Sequence, residues 1–145
     1  MPKLFKTATA PYSHHQLFDL VADVAAYPQF LPFCTQTDIH ENSETHMIAD
    51  MHIGYKSFTG AFQSKVTKEF PHALRMEQIH GSLKYLHSAW SFQSHTTPAV
   101  STIEFTIDFE PSSWLIGKLI NPILDEMGNV MIQSFLNRAK VIYDT

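Results

Sequence analysis

At 145 residues, with ten Lys and Arg against fourteen Asp and Glu and a net charge of −4, the chain suits one domain. A folded chain of that size buries about two-thirds of its unfolded surface, so no metal or disulfide is needed to hold it. The scattered basic residues argue against a phosphate-backbone footprint, and hence against DNA as a partner. Cys34 stands alone, which excludes an internal disulfide and suits a reducing compartment. Met1 to Thr9 lacks the features of a signal or transit peptide, and no run of about 18 apolar residues is long enough to span a bilayer. The expectation is a soluble, cytoplasmic protein.

Lys3 to Ala10 reads as a first strand, with Leu4, Lys6 and Ala8 on one side and Phe5 and Thr7 on the other; Pro11 ends it. Ser13 is placed to cap a helix whose apolar stripe is Leu17, Leu20, Val21 and Val24. A second short helical turn is expected over Ala26 to Leu31, limited by Pro28 and Pro32.

From Phe33 to Glu110 the apolar period changes to two, the pattern of a sheet. A strand over Thr35 to His40 is followed by a polar turn over Glu41 to Thr45. Met47, Ala49, Met51 and Ile53 then share one face, and Gly54 to Lys56 turns the chain. Phe58, Gly60, Phe62, Ser64 and Val66 form the inner side of an antiparallel partner. Leu74 and Met76 mark a short strand that Gly81 and Ser82 end. Leu86, Ser88, Trp90 and Phe92 mark the next, with a turn at Thr96 to Pro98. Ile103, Phe105, Ile107 and Phe109 alternate with Thr102, Glu104, Thr106 and Asp108 in the cleanest strand of the chain.

Ser112 to Tyr143 reads as one long helix. Ile116, Ile120, Ile123, Met127, Met131, Phe135, Ala139 and Ile142 recur every three or four residues, and Leu119, Leu124, Val130 and Ile132 broaden that face. Ser112 or Ser113 supplies the cap, and Pro122 predicts a kink or short break near Asn121. A one-sided sheet and a broad apolar helix each need a cover, and the economical arrangement is a sheet curled around the helix. The predicted class is therefore α+β: a curved seven-stranded antiparallel sheet wrapped around a long C-terminal helix, with two short helices after the first strand.

Pro11-Tyr12-Ser13, Leu20-Val21-Ala22-Asp23-Val24 and the run Tyr27-Pro28-Gln29-Phe30-Leu31-Pro32-Phe33-Cys34 resemble the start of the Coq10/RatA family of START-like, helix-grip domains. Gly81 to Leu86, Trp90-Ser91-Phe92, the strand Ile103 to Glu110 and the ending Arg138 to Tyr143 extend the resemblance over almost the whole chain. Its departures are at His80 and Ser82 and around His40 to His46. The resemblance implies a polyprenyl-quinone-binding protein that supports respiratory electron transfer, with no required cofactor, a ubiquinone-like lipid as ligand and a transient contact with the inner membrane or a respiratory complex. As the alternative, ranked second because the composition advertises no basic face, it implies an inhibitor of ribosomal subunit association, with a ribosomal subunit as partner. A cyclase or hydrolase on the same fold is a third class, for which no catalytic constellation is found.

A cavity for such a ligand needs apolar, adaptable walls, and methionines and aromatics supply them. The candidate lining is Phe30, Leu31 and Phe33 after the first helix; Met51, Ile53, Phe58, Phe62 and Met76 on the middle strands; Tyr85, Trp90, Phe92, Phe105 and Ile107 on the last two; and Ile120, Ile123, Leu124, Met127 and Met131 on the helix. The bland alternative for each is core packing. Tyr85 and Tyr27 are candidate donors to a quinone carbonyl, or tethers of a loop. Cys34 reads as a buried inert thiol. The nine histidines lack metal-ligand spacing, and the acidic pairs Asp19/Asp23 and Asp125/Glu126 read as solvated helix faces.

Overall fold

A computed structural model of the chain describes residues 3–56, 58–97 and 99–144. Strand β1 (Lys3–Ala10) leads into helix α1 (His14–Ala22) and a 3-10 turn (Val24–Gln29). Six strands follow: β2 (Cys34–Asn42), β3 (His46–Tyr55), β4 (Phe58–Glu69), β5 (Ala73–Gly81), β6 (Leu83–Ser94) and β7 (Ser101–Pro111). Helices α2 (Trp114–Ile120) and α3 (Leu124–Tyr143) close the described chain.

The strands form one sheet in the order β1-β7-β6-β5-β4-β3-β2, antiparallel throughout. Register irregularities between β2 and β3, β4 and β5, and β6 and β7 add the local bend that curves the sheet. Alternation decides its two faces. On β7, Ile103, Phe105 and Phe109 are buried while Thr106 is exposed, so the apolar set turns toward α3 as expected. On β1, Leu4 and Ala10 are buried and Phe5 points to solvent.

Ser13 caps α1 with a full capping box: its hydroxyl accepts from the Gln16 N–H, and the Gln16 side chain accepts from the Ser13 N–H at 3.0 Å. Leu17, Phe18, Leu20 and Val21 are buried beneath the helix.

The expected single helix is two. Pro122 cannot donate a backbone hydrogen bond, and a turn over residues 121–123 interrupts the helix before α3 begins. Ser113 rather than Ser112 caps α2, accepting from the Ile116 N–H; the Ser112 hydroxyl donates to the Ser82 carbonyl at 2.9 Å. The buried face of α3 carries Gly128, Ile132, Phe135 and Ala139, whereas Ile142, expected on that face, is exposed. Strand ends also differ from the expected bounds: β2 runs through Asn42 and β3 through Tyr55, since pairing of Asn42 with Met47 and of Tyr55 with Phe58 extends both ladders into the turns. Pro98, expected in a turn, lies outside the described residues.

Replacing Ser13 by Ala removes the cap and should lower the unfolding free energy by about 1 kcal/mol. Urea denaturation followed by circular dichroism checks this, with an unchanged m-value expected.

Candidate functional site

The sheet's concave face and the N-terminal half of α3 do not meet everywhere. Between them lies a cavity of about 120 Å³. Leu124, Met127, Gly128 and Met131 roof it, with Phe135 at one end. Its floor is Met51 and Ile53 of β3, Phe62 and Ser64 of β4, Met76 of β5, Leu86, Ser88 and Trp90 of β6, Phe105 and Ile107 of β7, and Leu4 of β1. Tyr27, Leu31 and Phe33 close it from the segment after α1.

The sequence-derived lining divides accordingly. Leu31, Phe33, Met51, Ile53, Phe62, Met76, Trp90, Phe105, Ile107, Leu124, Met127 and Met131 border the cavity. Phe30 lies outside it, its ring edge-on to Tyr27 and Phe135 and beneath the Arg138 guanidinium. Phe58, Ile120 and Ile123 join Phe62, Leu83 and Phe109 in a second apolar cluster under α2, because the break at Pro122 turns that short helix toward β4 and β7. Phe92 is fully buried against Phe18 and Trp90, away from the cavity. Tyr85 alternates with the inward Leu86 and so points to the other face of the sheet, where its hydroxyl donates to Asp108 at 3.0 Å.

Leu4, Tyr27, Ser64, Leu86, Ser88, Gly128 and Phe135 also border the cavity without being in the sequence-derived lining. Period-two alternation already placed Ser64, Leu86 and Ser88 inward; their small or ordinary side chains hid the role. Gly128 was invisible as a lining residue, yet a β-carbon there would stand 2.6 Å from Leu4 Cδ2 and 3.2 Å from Lys6 Cε, so its absence lets α3 approach β1.

The lining is nearly free of charge and short of polar groups. The Tyr27 hydroxyl is already committed to the Val21 carbonyl, and burial pushes its acidity far below that of a free phenol. Cys34 is buried, and desolvation raises its thiol to about 11, opposed only by a backbone contact to Gln36. Among the described residues, no group of three or more His, Cys, Asp and Glu is placed to hold a metal. His14, His15 and His72 do gather at the start of α1, with the His14 and His72 rings stacked at 5.7 Å. His40 instead pairs with Asp50 at 2.7 Å.

A curved antiparallel sheet gripping a C-terminal helix over an apolar cavity defines a START-like, helix-grip domain. Residues 10–136 match the family described as polyketide cyclase/dehydrase and lipid transport. The ribosome association toxin RatA of Escherichia coli K12 is 34% identical over 143 residues, covering 99% of this chain and 90% of that protein. The mitochondrial coenzyme Q-binding protein COQ10 of Drosophila melanogaster is 30% identical over 135 residues, covering 88% of this chain and 56% of that protein. A START superfamily protein of Mycobacterium smegmatis superposes with a TM-score of 0.83 over 97% of this chain and 98% of its own, at 15% identity, a likeness of fold alone. The chain belongs to the Coq10/RatA family of START-like proteins.

Two expectations follow from the titrating groups. Cys34 should resist a thiol reagent at pH 8 in the native protein and react at once in denaturant, and Cys34→Ala should keep ligand binding. His14 has an unpartnered buried Nδ1, and its pKa is lowered by desolvation and then by His15 and His72. The unfolded chain therefore takes up that proton first, so this group's contribution to stability falls as pH drops below about 6.5. His40, raised by Asp50, acts with the opposite sign. Melting temperatures between pH 5 and 8 should fall less steeply on acidification in His14→Gln and more steeply in His40→Asn.

Proposed function

We propose that the chain binds a polyprenyl quinone in the cavity between the sheet and α3, and carries it in support of respiratory electron transport without chemistry of its own. The observation that supports this most is the lining: four methionines, Met51, Met76, Met127 and Met131, stand among aromatic and aliphatic walls. The family's description includes lipid transport, and a 30% identical relative is named for coenzyme Q binding. Methionine has three rotatable bonds and a polarizable sulfur, so a wall rich in it yields to a long flexible chain.

That yielding is required. Sites for drug-sized molecules usually enclose roughly 300–1,000 Å³, and the cavity of about 120 Å³ is smaller. A tail enters by displacing the methionines and the roof. Each buried CH₂ contributes about 0.8 kcal/mol, so a few isoprene units overcome an association cost of about 4–15 kcal/mol. Delivery to respiratory complexes implies a transient contact with the inner membrane; no helix among the described residues is long and apolar enough to cross it.

A second reading has equal support from the relatives: association with a ribosomal subunit, the activity for which the 34% identical E. coli protein is named. The two are distinguishable. Mass spectrometry of an organic extract of the purified protein should recover a quinone on the first reading, and sucrose-gradient profiles with added protein should show separated subunits on the second.

On the quinone reading, Met127→Lys sets an unpaired charge against the tail, where desolvation is costly, and should abolish binding while the fold survives. Quenching of Trp90 fluorescence in a Trp114→Phe background measures it, since Trp90 borders the cavity and Trp114 is exposed. Retained affinity in the folded variant would place the ligand elsewhere.

A further inference from the structure

Two hydroxyls interrupt the otherwise apolar floor of the cavity. Ser64 is only 4% exposed and Ser88 is half-buried, and both border the cavity. They occupy inward positions whose neighbours along the same strands are Phe62 and Val66, and Leu86 and Trp90. Neither side chain makes a hydrogen bond to another described residue, and neither oxygen is among the fully buried atoms left without a partner, so both hydroxyls keep accessible surface and a free hydrogen-bonding capacity at the cavity. The Tyr27 hydroxyl, the remaining side-chain hydroxyl on the wall, is spent on the Val21 carbonyl.

Their placement is set by the ladder. Ser64 lies opposite Gln78, and Ser88 lies opposite Met76, so strand β5 runs between them with a two-residue offset. Two strand spacings and that offset put the Cα atoms about 10–12 Å apart on one concave face. A six-membered ring with an oxygen at each end, plus a hydrogen bond of about 2.8 Å at each end, spans a similar length.

We propose that Ser64 and Ser88 are the paired anchors for the two carbonyl oxygens of the ligand's ring, and so select a para-dicarbonyl head group over a plain apolar one. This rests on the quinone reading above. A serine hydroxyl both donates and accepts. The pair therefore donates to the carbonyls of the oxidised ring and accepts from the hydroxyls of the reduced ring, and holds both redox forms with similar affinity. Met76, between the two serines on β5, lies under the ring and yields to it.

The plain alternative is that two small side chains only leave room for Met76. Alanine separates the two ideas, because it keeps the room and removes the hydroxyl. The test uses the full chain and three probes: a geranyl-substituted benzoquinone, its hydroquinone, and geranylbenzene, which lacks the ring oxygens. Calorimetric titration of the wild type, Ser64→Ala, Ser88→Ala and the double variant is the readout. Each single substitution should weaken the quinone and the hydroquinone about three- to tenfold, the double variant more, with geranylbenzene unchanged. Quinone affinity unchanged in the double variant would overturn the anchors while leaving the cavity reading intact. Equal loss for all three probes would reduce the serines to packing. A wild type that binds none of the probes would overturn the anchors together with the quinone reading.

Discussion

Phe135 of α3 meets Tyr27, Phe30 and Trp90 edge-on, with ring centroids 5.3, 5.1 and 5.0 Å away. The rest of the structure depends on this contact. It ties the C-terminal half of the helix at once to the sheet and to the segment after α1, and a buried ring of this size contributes roughly 1.5–3 kcal/mol. One turn on, Ala139 is fully buried and lets the helix sit close, while the Tyr143 hydroxyl reaches the Gln16 carbonyl at 2.9 Å. Toward its other end the helix comes close to β1 at Gly128 without filling the space over the middle of the curved floor, and the cavity is that space.

The N-terminal end of α3 is held differently. Exposed ion pairs join Lys6 to Asp125 and Lys56 to Glu126, and pairs of that kind contribute about 0–1 kcal/mol each. Below them, the second cluster of Phe58, Phe62, Leu83, Phe109, Ile120 and Ile123 fastens α2, and Leu124 and Met127 of α3 pack against it. Gly128 brings the same stretch of α3, the roof of the cavity, close to Leu4 and Lys6 of β1. A wall of methionines beneath that roof yields by small side-chain rearrangements rather than by unfolding.

Relatives on this scaffold carry names as different as a ribosome association toxin and a coenzyme Q-binding protein, and the family description includes cyclases. The fold by itself is therefore no statement of activity. The lining of this chain's cavity is apolar, rich in methionine, and polar only at the Ser64, Ser88 and Tyr27 hydroxyls. Such walls suit a flexible apolar chain, which is the physical ground of the proposed ligand.

Local patterns determined a great deal. A period of two is unambiguous when one face is oily and the other polar, so the inward sets of β3, β4, β6 and β7 could be read directly, as could the Ser13 cap and the break at Pro122. Each depends on residues within a few positions of one another. The division of inward residues between cavity and solid core was decided only by tertiary structure. Phe92 and Phe105 are both buried residues on inward faces, yet one is sealed beneath α1 and the other borders the cavity, because that depends on where the helix, pinned at Phe135, leaves space over the sheet. Gly128 belongs to the same class, its meaning being a distance to Leu4 across more than a hundred residues of chain. Alternation states which way a side chain points; only the packing of distant elements states what it meets there.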